Sequence, residues 1–172
     1  AKLIRETALE ETVGNSLIVR EPFGVVGAIT PWNYPLHQIM AKVAPALAAG
    51  CTVVLKPAEQ SPLTAIRLEE LWREAGGPGD VFQVITTVEP ALVSSVFFDD
   101  PAIRKLTFTG STDVGVLLAA QAAKTVKRVS LELGGKSANI IFDDADLAEV
   151  VPKGVFACYL NSGQTCTAHT RM

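Results

Sequence analysis

Residues 23–56 read FGVVGAITPWNYPLHQIMAKVAPALAAGCTVVLK, and this stretch decides the fold. The β-branched, apolar run 23–30 predicts a strand that Pro31 ends. Residues 36–49 follow helical spacing, with Gly50 as their stop. Residues 51–56 are again short and apolar, and Pro57 closes them. A strand, a helix and a second strand in immediate succession make the unit from which parallel sheets are built.

The pattern continues to both sides of the next turn. Residues 62–75 predict a helix, with Ser61 as N-cap, Pro62 in the first turn and the glycines of 76–79 as its end. Residues 80–86 predict a third strand and 89–98 a short helix. Residues 104–110 predict a fourth strand, and 111–124 a helix capped by Ser111. Two more strands are expected at 127–133 and 138–144. A last helical pattern spans 146–160, interrupted by Pro152. Strands apolar on both faces, alternating with helices, predict an α/β fold: a Rossmann-like parallel sheet with helices on both faces and right-handed crossovers. Ligands of such sheets bind beyond the carboxyl ends of the strands. There the chain places Thr30-Pro31-Trp32-Asn33, Lys56-Pro57-Ala58-Glu59, Thr109-Gly110-Ser111 and Glu132-Leu133-Gly134-Gly135.

Bulk properties narrow the function. The chain has 172 residues, 48% hydrophobic and 19% charged, which supports a packed core. A formal charge of −3, with no stretch rich in Lys or Arg, argues against a nucleic-acid partner. The longest weakly polar run, 43–55, is too short and too broken by Pro45 and Gly50 to span a bilayer. The charged start has no signal-peptide core. Three irregularly spaced cysteines suggest neither disulfides nor a metal site, and fit a reducing, cytoplasmic compartment. A first residue other than Met, and an end inside a pattern, suggest a piece of a longer protein.

Among the candidate chemical groups, Cys166 stands out. It lies among small and polar residues in NSGQTCTAHT, 161–170, whereas Cys51 and Cys158 fall in apolar runs and read as buried small hydrophobes. A thiolate nucleophile needs a proton acceptor and a donor for the oxygen it charges. Glu132, at a strand end in an apolar stretch, is a candidate base whose partial desolvation would tune it, or else a solvated loop carboxylate. Asn33, between Pro31 and Pro35, offers a rigid amide donor, or else satisfies its own turn. Trp32 and Tyr34 either wall a pocket or simply pack. Gly110 and Ser111 open a helix whose N-terminus suits a phosphate, a reading that competes with an ordinary capped turn. Lys56 and Glu59 can bond ribose hydroxyls, and a carboxylate there disfavours a 2′-phosphate; two surface charges are the alternative. His169 lies near Cys166 without an orienting third group.

Taken together, ITPWNYP, LKPAEQSPLTA, FTGST, LELGGKSANIIFDDADL and NSGQTC resemble the NAD(P)-dependent aldehyde dehydrogenase family, in its order and spacing. The resemblance implies that Cys166 is the nucleophile, Glu132 the general base, and Asn33 with the Cys166 backbone N–H the oxyanion hole. It implies that Lys56 and Glu59 hold the adenosine ribose of NAD, with NADP possible. Ile29, Thr30, Trp32, Gly110 and Ser111 would line the cofactor, and Leu133 would touch the nicotinamide region. It implies a cofactor domain over 1–134, the beginning of a catalytic domain over 135–172, an aldehyde substrate and a homo-oligomer of the full-length protein. An acidic semialdehyde is one substrate option. The chain departs from the family at VITTVEPALVSSV, 84–96, where Thr87, Glu89 and Val93 stand in place of patterned glycines. That exchange would crowd the cofactor and supports an alternative: an inactive binding protein or fragment retaining the fold.

Overall fold

The computed structural model describes residues 6–172. Its centre is a five-stranded, all-parallel sheet in the order β5-β4-β3-β6-β7. These strands are β3 (Val25–Ile29), β4 (Thr52–Lys56), β5 (Phe82–Val84), β6 (Ile103–Thr109) and β7 (Arg128–Glu132). The helices between them are α1 (Pro35–Ala48), α2 (Leu63–Glu74), α3 (Pro90–Asp99) and α4 (Thr112–Ala123), followed by α5 (Leu147–Tyr159). The α/β reading of the sequence is therefore the fold observed.

Side-chain alternation divides the core into two layers. On one face Val26, Ala28, Val53 and Leu55 pack against Ile39 and Val43 of α1 and Ala65 of α2. On the other, Ile29, Ile103, Leu106 and Phe108 pack against Phe97 and Phe98 of α3 and Leu118 and Ala122 of α4. The expectation of strands apolar on both faces fails for β6 and β7. Their residues on the α1 side are Lys105, Thr107, Thr109, Ser130 and Glu132, and these line a groove. Helix α1 reaches that half-face through Lys42, which donates to Thr107 Oγ1, and otherwise stands across the groove from it.

The sequence reading missed a two-stranded antiparallel hairpin, β1 (Glu10–Val13) and β2 (Ser16–Val19). Its turn is Gly14-Asn15, with Gly14 at φ 60°, a signal present in the sequence. Both strands are exposed throughout. Three further expectations need correction. Residues 138–144 form no strand: Ala138 makes one isolated bridge to Arg171, and a strand needs a ladder. Pro152 does not interrupt α5, which runs on through it as α1 does through Pro45. The lost N–H removes one rung, while the Asp146 side chain caps the helix by accepting from the Ala148 amide. Ser61 caps nothing; Pro62 is the N-cap residue of α2, and the buried Ser61 hydroxyl has no partner.

Candidate active site

The strand order reverses at β3. Its neighbours are β4, next in sequence, on one side and β6 on the other. This is the switch point at which open α/β sheets open a crevice. The carboxyl end of β3 delivers Thr30 to Asn33, the end of β6 delivers Thr109 to Ser111, and β7 ends on Glu132. Thr109 pairs with Glu132 in register, and the Gly110 amide donates to the Glu132 carbonyl at 3.0 Å.

The cysteine loop comes to this edge from α5. After Leu160 the backbone turns through three left-handed residues, Asn161 (φ 54°), Ser162 (φ 58°) and Gly163 (φ 77°). Asn33 Nδ2 donates to the Gln164 carbonyl at 2.8 Å, and Asn161 Nδ2 donates to the Asn33 carbonyl at 3.1 Å. The Tyr34 hydroxyl lies 2.7 Å from Thr165 Oγ1. Asn33 thus sits beside the cysteine loop, with one amide hydrogen committed and a second left over. Its Oδ1 is buried without a partner.

Cys166 and Glu132 line one cavity of about 560 Å³, with Thr167, Thr109, Thr107, Lys42 and His37. Cys166 is half-buried. Glu132 is exposed, a correction to the desolvation expected of it, because β7 is an edge strand whose polar side faces the open groove. Lys42 is the group that sequence reasoning missed. It is 9% exposed, and its ammonium donates to Thr107 Oγ1 at 3.3 Å. Burial pushes its pKa below the ordinary lysine value, and the Glu132 carboxylate partly offsets this. The signal was available: it is a lone lysine in the apolar run 39–49. Cys51 is buried as expected, but Cys158 is only half-buried, because α5 leaves much of its surface open.

On the other side of β3, the Lys56 ammonium, almost fully buried, forms an ion pair with Glu59. Burial opposes ionisation of Glu59, but the bonds from Lys56 and from its own backbone amide, with attraction to Lys56, hold its pKa below the usual carboxylate value. Glu59 shares a cavity of about 460 Å³ with Pro57, Ala58, Pro62, Thr86, Thr87 and Val88. Thr87 Oγ1 accepts from the Glu89 amide at 2.9 Å, and Glu89 is the N-cap residue of α3. Thr30 is buried with its hydroxyl unpartnered. Trp32 is exposed, and Ile29 belongs to the core beneath the site. Ser111 caps α4 by accepting from the Val114 amide at 3.4 Å. Gly110 also has a packing reason: a Cβ there would lie 2.4 Å from the Phe108 ring. Leu133 packs over Gly115 of α4. No cluster of three His, Cys, Asp or Glu able to hold a metal occurs among the described residues.

The family model described as the aldehyde dehydrogenase family matches residues 1–172. The chain belongs to the aldehyde dehydrogenase family. It is 52% identical, over its whole length, to a 3-succinoylsemialdehyde-pyridine dehydrogenase of a Pseudomonas species, of which it covers 36%. It is 49% identical to the NADP(+) succinate-semialdehyde dehydrogenase GabD of Escherichia coli K12, over 91% of this chain and 32% of that one. A solved aldehyde dehydrogenase C of Pseudomonas syringae superposes with a TM-score of 0.95 at 49% identity. That match covers 99% of this chain and 35% of the other, which is an alanine variant complexed with NAD+ and octanal. This aldehyde dehydrogenase chain thus spans about a third of the length of the relatives it matches.

Proposed function

We propose that the chain carries the cofactor-binding region and nucleophile loop of an NAD(P)-dependent aldehyde dehydrogenase that converts an aldehyde to a carboxylic acid. The observation that carries this reading is that Cys166 and Glu132, both at the carboxyl edge of the sheet, line one cavity, a groove that runs on beside α1 as far as Phe23 and Cys51. The residues on the far side of β3 fit a dinucleotide. A buried Lys56 ammonium paired with Glu59 supplies a donor and an acceptor for a ribose diol, and the unpartnered Thr30 and Ser61 hydroxyls leave polar capacity unused. Ile29, Trp32, Gly110 and Ser111 would line the rest of that ligand, with Leu133 toward its nicotinamide end. The Glu59 carboxylate favours NAD, by repelling a 2′-phosphate, while one relative is named for NADP(+).

When bound, the cofactor supplies the hydride acceptor that lets an aldehyde adduct become a thioester. The chain's own groups do the rest. The Cys166 thiolate adds to the carbonyl carbon, and the π-electron pair moves onto oxygen. The free Asn33 Nδ2 hydrogen and the Cys166 N–H donate to that oxygen as charge builds. Glu132 then takes a proton from water, whose oxygen attacks the thioester carbonyl. The carbon–sulfur bond breaks, sulfur leaves as thiolate and the acid is released. A base for water supports hydrolysis over acyl transfer to coenzyme A.

Cys166→Ala in the whole protein is expected to abolish aldehyde oxidation. Glu132→Gln is expected to retain a stoichiometric burst of reduced cofactor and to lose steady-state turnover at least tenfold, read by stopped-flow absorbance. Loss of the burst in Glu132→Gln would refute its role as the base for the second step. A parent protein in which Cys166 is alkylated no faster than Cys51 and Cys158 would favour the inactive reading that Thr87 and Glu89 suggest. The boundary between cofactor and catalytic regions falls near Gly134 on this reading, since β7 is the last strand of the sheet. The exposed apolar side chains of the hairpin, Leu17, Ile18 and Val19, support a homo-oligomer of the full-length protein. Three free cysteines support a reducing compartment such as the cytoplasm.

A further inference from the structure

Tyr34 ends the loop that carries Asn33 and is the N-cap residue of α1. Its side chain makes no capping bond, so the helix does not need the hydroxyl. Yet that hydroxyl lies 2.7 Å from Thr165 Oγ1, the usual separation for an O–H···O bond. Thr165 Oγ1 is also 3.1 Å from the Leu160 carbonyl, which can only accept. Thr165 therefore donates to Leu160, and Tyr34 donates to Thr165. The direction of the relay is fixed: phenol to threonine to the carbonyl of Leu160, the C-cap residue of α5.

This relay adds to a loop whose own bonds, Gln164 N–H to the Asn161 carbonyl at 3.0 Å and Thr165 to Leu160, span only a few residues. Asn161 and Ser162 occupy the left-handed region, which costs free energy for residues with a Cβ and persists only where neighbours impose it. Besides the loop's own bonds, residues 33 and 34 brace it from outside, through Asn33 on Gln164, Asn161 on Asn33 and Tyr34 on Thr165. Thr165 is covalently next to Cys166. We propose that Tyr34 is a positioning residue, whose hydroxyl holds the cysteine loop through Thr165 so that the Cys166 thiol and the Asn33 amide keep one fixed separation. This rests on Cys166 being the nucleophile. Small misplacements of a reacting group cost rate steeply, and a single hydrogen bond is enough to set one.

The test uses Tyr34→Phe, Thr165→Val, Thr165→Ser and the Tyr34→Phe/Thr165→Val double variant of the whole protein. Hydrogen exchange of amides 160–167 is read by mass spectrometry, and kcat and KM are measured with octanal and with succinic semialdehyde. Tyr34→Phe and Thr165→Val are each expected to speed exchange of the loop about five- to tenfold, with the sheet amides unchanged, and to lower kcat by a similar factor at constant KM. The double variant should be no worse than either single, and Thr165→Ser should match the parent. Unchanged loop exchange in Tyr34→Phe overturns the proposal, whatever the activity. Faster exchange with unchanged kcat reduces Tyr34 to packing and overturns it too, as does a double variant in which the two effects multiply. A parent inactive on both aldehydes, with Cys166 no more reactive than Cys158, instead refutes the nucleophile reading itself and takes the positioning role with it.

Discussion

Gly27 lies in the middle of β3 beneath Leu106 and Phe97, and a Cβ there would stand 2.8 Å and 2.9 Å from those side chains. Both neighbours are core residues with no room to retreat. Gly27→Ala is therefore expected to destabilise the fold by about 1–3 kcal/mol, measured as a lower urea midpoint at constant slope. Lys42 makes the opposite case. Its folded-state pKa lies below its unfolded value because burial disfavours the charge. Between those two values the unfolded chain holds more protons, so stability rises with pH across that window, and below it the burial cost stays constant. Lys42→Met is expected to raise the urea midpoint at neutral pH and to flatten the rise on the alkaline side. At this scale the sequence was informative where a residue's type contradicted its surroundings. Cys166 among polar neighbours was legible. Lys42 among apolar ones was equally so. That Glu132 is exposed depends on β7 being an edge, which no local pattern states.

Helix α3 ends at Asp99, and three of the carbonyls around its end, those of Phe97, Phe98 and Asp100, accept from one side chain. That donor is Lys127, whose Nζ reaches them at 2.7–2.9 Å from the turn before β7. A lysine suits this place because the helix end carries partial negative charge and unpaired carbonyls. Lys127→Met leaves the Phe97 and Phe98 carbonyls without this donor, while the Asp100 carbonyl keeps the Ile103 amide at 3.2 Å, and is expected to cost about 1–3 kcal/mol, read as a lower urea midpoint at constant slope. The helices and sheet strands were legible because their apolar spacing is local. Elements that depend on a partner were not. The run 138–144 has strand composition but only one bridge, while the short β1 and β2 pair through a Gly-Asn turn hidden among charges.

Across the whole molecule, protection should follow the sheet order. The amides of β3, β4 and β6, which are interior strands, are expected to exchange slowest, and those of the exposed β1–β2 hairpin fastest. Equal protection of β3 and the hairpin in native-state exchange would contradict this. The parallel architecture was legible from the alternation of strands and helices. The polar half-face of β6 and β7 was not, because a strand with one polar side reads as apolar when its two sides are averaged. That half-face has a practical consequence for anyone reshaping the protein. In these two strands cohesion resides in the layer under α3 and α4, whereas Lys105 and Ser130 line the groove and hold little of it; Thr107 differs, as the acceptor for the buried Lys42 ammonium. A library restricted to Lys105 and Ser130 should reshape the groove while leaving thermal tolerance almost untouched, so that novelty and robustness need not be traded against each other.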